Sequence, residues 1–167
     1  MIKLFGKEFF GSSLKITNKT ITIDGVVVHS SKTPFEGPVD VVISGDVKNV
    51  EVLGNLTING NAGDVSAGGD ITCQDVAGSA DAGSSINCRD VKGDADAGSS
   101  IKCGNIGGSA DAGSSIEAAG SIGSYADAGS NISCGDIHGN VDAGSNVTAH
   151  SVTGDIDAGG SVRIGKV

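Results

Sequence analysis

The sequence has few of the residues that fill an ordinary protein core. Its 167 residues include no Trp, one Tyr and four Phe. A conventional globular domain packs its interior with Leu and aromatic side chains, so a core of that kind is excluded. Gly is abundant instead, with 28 residues, whereas Pro occurs only twice. Small residues with frequent Gly indicate a narrow interior bounded by tight bends.

Positive charge is also scarce. The sequence has 11 Lys and Arg residues and 20 Asp and Glu residues, which gives a net charge of −9. Nucleic-acid binding needs clustered Lys and Arg, so we exclude nucleic acid as a partner. No apolar run reaches the length of a membrane span. Lys7 and Glu8 interrupt the apolar start of the chain, and no signal cleavage site follows. We therefore expect a cytoplasmic location, with peripheral membrane contact as an open alternative.

A repeat of about fifteen residues organises most of the chain. The triplet Asp-Ala-Gly recurs at intervals of 15, 15, 16, 15 and 15 residues, beginning at Asp81, Asp96, Asp111, Asp127, Asp142 and Asp157. One apolar column keeps the same phase, at Ile71, Ile86, Ile101, Ile116, Ile132, Val147 and Val162. A second follows two residues later, at Cys73, Cys88, Cys103, Ala118, Cys134, Ala149 and Ile164. The one longer interval places an extra residue near residues 119–121, in a turn, where an insertion is tolerated best.

Residues within one repeat alternate as in a strand with one buried face. Ile86 and Cys88 flank the polar Asn87, and small residues flank Asp96 in the same way. Three short strands and three corners account for one repeat, and glycines at the corners would supply positive φ angles. We therefore predict an all-β fold, a single-stranded, three-sided parallel β-helix (β-solenoid) with about fifteen residues per coil.

The fifteen-residue repeat continues toward the N-terminus with a less exact match, as far as Val26 and Val28. We therefore predict about ten coils, in a solenoid that spans residues 14–167. Residues 1–13 form a separate segment in this prediction, with apolar side chains at Ile2, Leu4, Phe5, Phe9 and Phe10. Two interpretations of this segment stay open. It is either a cap that covers the edge of the first coil or an amphipathic segment that binds a membrane weakly.

Two columns carry side chains with their own chemistry. The four cysteines are spaced by whole coils, without the close pairs of zinc sites. Stacked neighbours such as Cys73 and Cys88, or Cys88 and Cys103, would lie within disulfide distance under oxidation. Because Ala118 and Ala149 take equivalent positions, we predict that the cysteines are small, reduced core residues.

The six aspartates of the triplet would lie in a row on one outer face. Such a row could hold cations, since hard ions prefer carboxylate oxygens. Calcium-binding solenoids carry Gly-Gly-x-Gly-x-Asp repeats, however, which this sequence lacks. We favour a solvated, self-repelling face that discourages lateral aggregation, and we predict neither a metal nor a cofactor.

Side chains typical of catalytic sites do not converge. His29, His138 and His150 fall in different phases of the repeat, and the phosphate-binding sequence Gly-Lys-Ser/Thr does not occur. We therefore predict that the protein is not an enzyme.

Two stretches share a recurring motif, namely Val-Val-Ile-Ser-Gly-Asp-Val at residues 41–47 and Val-Leu-Gly-Asn-Leu-Thr-Ile-Asn-Gly at residues 52–60. The phrase Gly-Asp-Val/Ile recurs at residues 63–65 and 154–156. These motifs resemble those of the bactofilins, which are polymer-forming cytoskeletal proteins of bacteria. The resemblance implies a three-sided, right-handed β-helix that polymerises end to end without nucleotide. It also implies that many relatives carry a short N-terminal membrane-targeting segment.

Two functions follow from these patterns. The first is a structural, self-assembling scaffold, with a second copy of the chain as its partner. The last repeat stays in phase to its end, so we predict an assembly interface at Val162, Ile164 and Val167, where two copies meet end to end. The alternative is a rigid fibre or spike segment, from a phage or a cell surface, that binds other proteins along its faces.

Overall fold

The computed structural model describes residues 2–4, 7–17, 19–34 and 40–165. These residues form 24 β-strands and no helix. The strands are β1 (Ile2–Leu4), β2 (Lys7–Phe9), β3 (Ser13–Ile16), β4 (Thr20–Ile23), β5 (Val26–Ser30), β6 (Val41–Ser44), β7 (Val47–Val52), β8 (Leu56–Asn59), β9 (Ala62–Ala67), β10 (Ile71–Thr72), β11 (Asp75–Val76), β12 (Ala80–Ala82), β13 (Ile86–Asn87), β14 (Asp90–Val91), β15 (Ala95–Ala97), β16 (Ser100–Cys103), β17 (Ala110–Ala112), β18 (Ser115–Ala118), β19 (Ala126–Ala128), β20 (Ile132–Ile137), β21 (Val141–Ala143), β22 (Val147–Val152), β23 (Ile156–Ala158) and β24 (Val162–Ile164).

Successive coils stack in parallel and in register along three ladders. The first ladder contains the column of Ile71, the second the column of Val76, and the third the column of Ala80. Single bridges continue the second ladder as far as Ile137. This arrangement confirms the predicted all-β parallel solenoid with about fifteen residues per turn. The three-sided cross-section and the right-handed sense stay predictions.

The inward columns form one continuous apolar core. Ile71 is 0% exposed, Val91 is 1% exposed and Ala97 is 2% exposed, and no polar or charged residue in the described part of the chain is buried. The extra residue of the longer repeat lies where the sequence predicted it. Cys103 pairs with Ala118 at an interval of 15, whereas Ile106 pairs with Ile122 at an interval of 16. A corner therefore absorbs the insertion, and both ladders continue in register.

The corners are held by side chains that bind the backbone of the next coil. Asp94 accepts the N–H of Ser109 at 2.8 Å, and Asp70 accepts the N–H of Ser85 at 3.0 Å. Asn140 accepts the N–H of Asp155 in the same way. These bonds satisfy backbone donors at bends, where the ladder hydrogen bonds are interrupted. They explain why the corners are rich in Asp, Asn and Ser.

One glycine column is required by close approach between coils. A Cβ added to Gly98 would lie 2.3 Å from the carbonyl oxygen of Gly83 in the preceding coil. The described glycines with positive φ lie elsewhere, at Gly25, Gly45 and Gly165. The expectation that corner glycines supply positive φ is therefore wrong for this column. These residues are glycine because stacked backbones leave no room for a side chain.

The chain before β6 does not form the coils predicted from Val26 and Val28. β3 pairs parallel to β7, but β4 and β5 continue as an antiparallel meander. Asp24 and Gly25 have φ angles of 48° and 80°, which makes them a tight hairpin turn, and Asp-Gly is a preferred sequence for such turns. This turn reverses the chain and leaves β5 at the sheet edge with an exposed burial pattern. The chain makes about 8 turns, so the prediction of about ten is wrong.

The first strands also lie against the start of the solenoid. β1 and β2 form an antiparallel hairpin, and β1 pairs antiparallel with β6. A cap over the first coil requires this kind of pairing. The boundary between residues 1–13 and 14–167, and the choice between a cap and a membrane contact, stay predictions.

Candidate functional site

The C-terminal coil exposes side chains whose equivalents in the preceding coil are buried. Val162 is 49% exposed, whereas Val147, its partner in the ladder, is 1% exposed. Ile164 is 46% exposed, whereas its partner Ala149 is 0% exposed. The other inward positions of the coil are half-buried, at Val152, Ile156 and Ala158. Together these five residues form the C-terminal face of the solenoid core.

The backbone edge at this end has no further partner strand within the described residues. β23 is the last strand of one sheet and β24 is the last strand of the other, so each pairs with a described strand on one side only. Asn140 and Asn146 accept the backbone N–H groups of Asp155 and Ser161 in the last coil. Asp155 and Ser161 occupy the same corner positions one coil later. The end of the solenoid therefore presents an apolar centre, two strand edges and polar corners.

Two of the three predicted assembly residues lie on this face. Val162 and Ile164 belong to it, whereas Val167 lies outside the described residues. The sequence prediction missed Val152, Ile156 and Ala158, although the phase of the repeat contains the signal for them. Their equivalents one coil earlier are Ile137, Val141 and Ala143, which are 0–2% exposed.

The N-terminal end of the stack differs from the C-terminal end. Leu14, Ile16, Ile21 and Ile23 are buried in the meander and close the core there. Outside them, the edge strand β5 exposes Val26 by 65% and Val27 by 56%.

Four of the five proposed cap or membrane residues lie in the described part of the chain. Phe10 is 85% exposed. Ile2, Leu4 and Phe9 are placed by backbone pairing alone, and Phe5 lies outside the described residues.

The six aspartates stack in register along the third ladder. Asp81 pairs with Asp96, and the series continues coil by coil to Asp157. All six are exposed. Burial, followed by the charges of Asp127 and Asp96, raises the pKa of the Asp111 carboxyl above its usual range. Within the described residues no group of three or more His, Cys, Asp or Glu could hold a metal ion. Cation binding by this row stays a prediction.

An open groove of about 600 Å³ lies beside the N-terminal end of this row. Its polar lining includes Lys15, Asp24, Glu51, Ser66 and Asp81. The Lys15 ammonium and the Glu51 carboxylate, which lie opposite each other on β3 and β7, form an exposed ion pair in this lining. Sequence analysis missed the groove because one wall is the meander, which was predicted as regular coils.

A histidine and two other polar side chains meet on the adjacent strands β20 and β22. The phases of the histidines in the repeat did not predict this contact. The Ser151 hydroxyl donates to Asp136 Oδ1 at 2.5 Å, and His150 Nδ1 lies 2.9 Å from the same oxygen. These contacts, the Ser151 bond first, lower the pKa of the Asp136 carboxyl. Because Ser151 binds Asp136 and not His150, the trio lacks the nucleophile-to-base contact of hydrolases. His138 lies apart from His150 on the backbone oxygen of Ile122.

The cysteine column lies in the interior, as predicted. Cys88, Cys103 and Cys134 are 5–8% exposed, and Cys73 is half-buried at the edge of the core. All four are free thiols. Burial raises the pKa of the Cys103 and Cys134 thiols to about 11.

In the described part of the chain, no helix has the length and apolar character needed to cross a membrane. No protein-family model matches the sequence, and neither the curated proteins nor the solved structures gave a significant match.

Proposed function

We propose that the chain is a structural protein that assembles end to end through its C-terminal coil. The contrast between Val147, which is 1% exposed, and its ladder partner Val162, which is 49% exposed, carries this proposal. The apolar column is the same in both coils, and within the described residues only the earlier coil has another coil stacked on its C-terminal side. A second copy of the chain is the partner with a matching surface.

A two-fold axis at the C-terminal face would bury it on both copies at once. β24 of one copy would meet β24 of the other in an antiparallel sense, which satisfies the open strand edges. Fully burying a Val or Ile side chain contributes about 1.5–3 kcal/mol. The five core residues of this face are few beside the roughly 20–30 residues per partner of a standard interface. The contact should therefore be reversible and depend on protein concentration.

A single two-fold contact ends at a dimer, so a longer polymer needs a second interface. The edge strand β5 at the opposite end offers one, because Val26 and Val27 are exposed and β5 is the last strand of its sheet among the described strands. Contacts at both ends would produce a filament, whereas the C-terminal contact alone would produce a dimer.

The resemblance of residues 41–47 and 52–60 to bactofilins supports the same proposal, because that family polymerises end to end. The parallel β-solenoid is compatible with a bactofilin-like fold. The main support for the proposal, however, is the exposed C-terminal face.

The double variant Val162→Lys/Ile164→Lys tests the proposal, because it places two charges in the contact. The matched control is Val42→Lys/Leu53→Lys, since Val42 and Leu53 are 53% and 46% exposed but lie far from the last coil. Sedimentation should show that the mass of the wild type and of the control rises with protein concentration, while the C-terminal variant stays monomeric. Far-ultraviolet circular dichroism should confirm that all three proteins are folded.

Wild-type protein that stays monomeric at every concentration would overturn the scaffold proposal. A stable trimer that persists in the C-terminal variant would favour the fibre or spike alternative.

A further inference from the structure

Two cysteines of adjacent coils are in direct sulfur contact. Cys73 and Cys88 take equivalent positions one coil apart, and their Sγ atoms lie 2.6 Å apart. Cys103 follows one coil later in the same column. Cys134 is in register with Ala149 and so has an alanine beside it on that side. The column therefore contains one close sulfur pair and one comparable cysteine away from it.

The fold fixes the position of this pair from both sides. Before it, Ile71 pairs with Ile86 and Thr72 with Asn87 in the first ladder. After it, the Arg89 guanidinium binds both carboxylate oxygens of Asp75, with Nε 2.6 Å from Oδ1. A two-point ion pair of this kind fixes orientation as well as distance. The two thiols are thus held together by a parallel ladder and by a bidentate ion pair.

The two sulfurs differ in access and in protonation. Cys73 is half-buried, whereas Cys88 is 7% exposed, so a small reagent reaches the pair from the Cys73 side. The hydrogen bond between the two sulfurs lowers the pKa of Cys73 and raises that of Cys88. A partly exposed thiol with a lowered pKa next to a second thiol matches the environment of redox-sensitive cysteines.

We propose that Cys73 and Cys88 are a redox-sensitive pair that a hydroperoxide converts to a disulfide linking adjacent coils. This proposal is independent of end-to-end assembly, since the pair lies in the middle of the solenoid. The four cysteines are predicted to be reduced, and the proposal adds a defined oxidised state for two of them.

The reaction balances with hydrogen peroxide as the oxidant. The Cys73 thiolate attacks one peroxide oxygen, so an S–O bond forms, the O–O bond breaks, and the departing hydroxide takes a proton to become water. The Cys88 sulfur then attacks the Cys73 sulfur. The S–S bond forms, the S–O bond breaks, and the second hydroxide leaves as water with the Cys88 proton. Two electrons pass from the sulfurs to the peroxide.

The positions of Lys and Arg make the product easy to identify. Lys48 and Arg89 are consecutive basic residues, so trypsin releases residues 49–89 as one peptide that contains both Cys73 and Cys88. Cys103 and Cys134 fall together in residues 103–163. After peroxide treatment of the full-length protein, unreacted thiols are alkylated under denaturing conditions and the peptides are weighed. Peptide 49–89 should lose two hydrogens and stay unalkylated, while peptide 103–163 should carry two alkyl groups.

Single alanine variants assign the effect. Cys73→Ala and Cys88→Ala should each abolish the disulfide mass, whereas Cys134→Ala should leave it unchanged. Alanine is tolerated in this column, since Ala118 and Ala149 occupy it and are buried. Reduction with a dithiol should restore full alkylation of peptide 49–89.

Three outcomes would overturn the proposal. One is full alkylation of peptide 49–89 after peroxide treatment. Another is a gain of oxygen at Cys73 that does not proceed to the disulfide. The third is a cross-link between peptides 49–89 and 103–163, which would assign the bond to Cys88 and Cys103. None of these results bears on assembly, which is measured separately by sedimentation.

Discussion

The Asp24 carboxylate accepts the backbone N–H of Ser13 at 2.8 Å, eleven residues before it in the chain. It also accepts the backbone N–H and the hydroxyl of Ser12. Asp24 lies at the tight turn of the N-terminal meander and thus ties this turn to the start of β3. One ionisable side chain therefore joins the turn after β4 to the start of β3 and closes the β3–β4 hairpin.

Acid should loosen the N-terminal meander before the rest of the solenoid. The backbone N–H groups of Ser12 and Ser13 lower the pKa of Asp24. A lowered folded pKa means that this contribution to stability is present above the ordinary Asp pKa of about 3.9 and is lost as the pH falls through the lower folded value. Hydrogen exchange at the Ser13 amide should accelerate over that range. Asp24→Asn should show fast exchange already at neutral pH, whereas Asp127→Asn should not. Equal exchange in both variants would contradict this role of Asp24.

Gly113→Ala should destabilise the fold through a clash between coils. A Cβ at this position would lie 2.3 Å from the carbonyl oxygen of Gly98. Overpacking of this kind costs about 1–3 kcal/mol, because the stacked backbones must separate. Ser114→Ala is the control, since it changes the neighbouring residue without adding an atom. Urea denaturation followed by circular dichroism measures both, and equal midpoints would show that the stack can relax around a methyl group.

Ala97→Leu should destabilise by a similar amount from the inside. Ala97 is 2% exposed, and its ladder partners Ala82 and Ala112 are buried alanines too. A larger side chain would force its neighbours out of their preferred rotamers, at a cost of about 1–3 kcal/mol. Ala119→Leu makes the same change at the exposed corner that contains the extra residue, and it should be nearly neutral. A denaturation midpoint for Ala97→Leu that equals that of Ala119→Leu would mean that the interior has spare volume.

Alkaline pH should destabilise the protein through its buried thiols. Burial raises the pKa of Cys134 to about 11. The contribution of this thiol is fully present below the ordinary Cys pKa of about 8.5, and it is lost as the pH rises through the folded value. Cys134→Ala should therefore weaken the fall in denaturation midpoint between neutral and alkaline pH. Labelling of Cys134 in the folded protein should also be slow and become complete after denaturation. Rapid labelling of folded protein would show that this position is open to solvent.

Most of the solenoid could be predicted from the phase of its repeat. Because each column recurs at an almost constant interval, Ile86 had to lie over Ile71, and the structure pairs them. The same argument located the extra residue between Ala118 and Ile122. Periodicity fixes which residues share a column, and in a parallel stack that is equivalent to fixing the hydrogen-bond register.

The parts that were not predicted depend on single local interactions. Val26 and Val28 fit the column by spacing, but the turn at Asp24 and Gly25 reverses the chain just before them. The close approach of Gly98 to Gly83 could not be separated from a need for positive φ by sequence alone. The meeting of His150 with Asp136 depends on how two side chains extend along the outer face, which column spacing does not specify.

The in-register ladders make the length of this molecule adjustable in whole steps. Every coil adds about 4.8 Å along the axis and presents to the next coil nearly the same backbone and corner groups that it received. Gain or loss of one complete repeat would therefore move the two end surfaces apart or together while leaving the cross-section and the end surfaces intact. The distance between the two end surfaces along the axis is therefore set by the number of repeats in the chain.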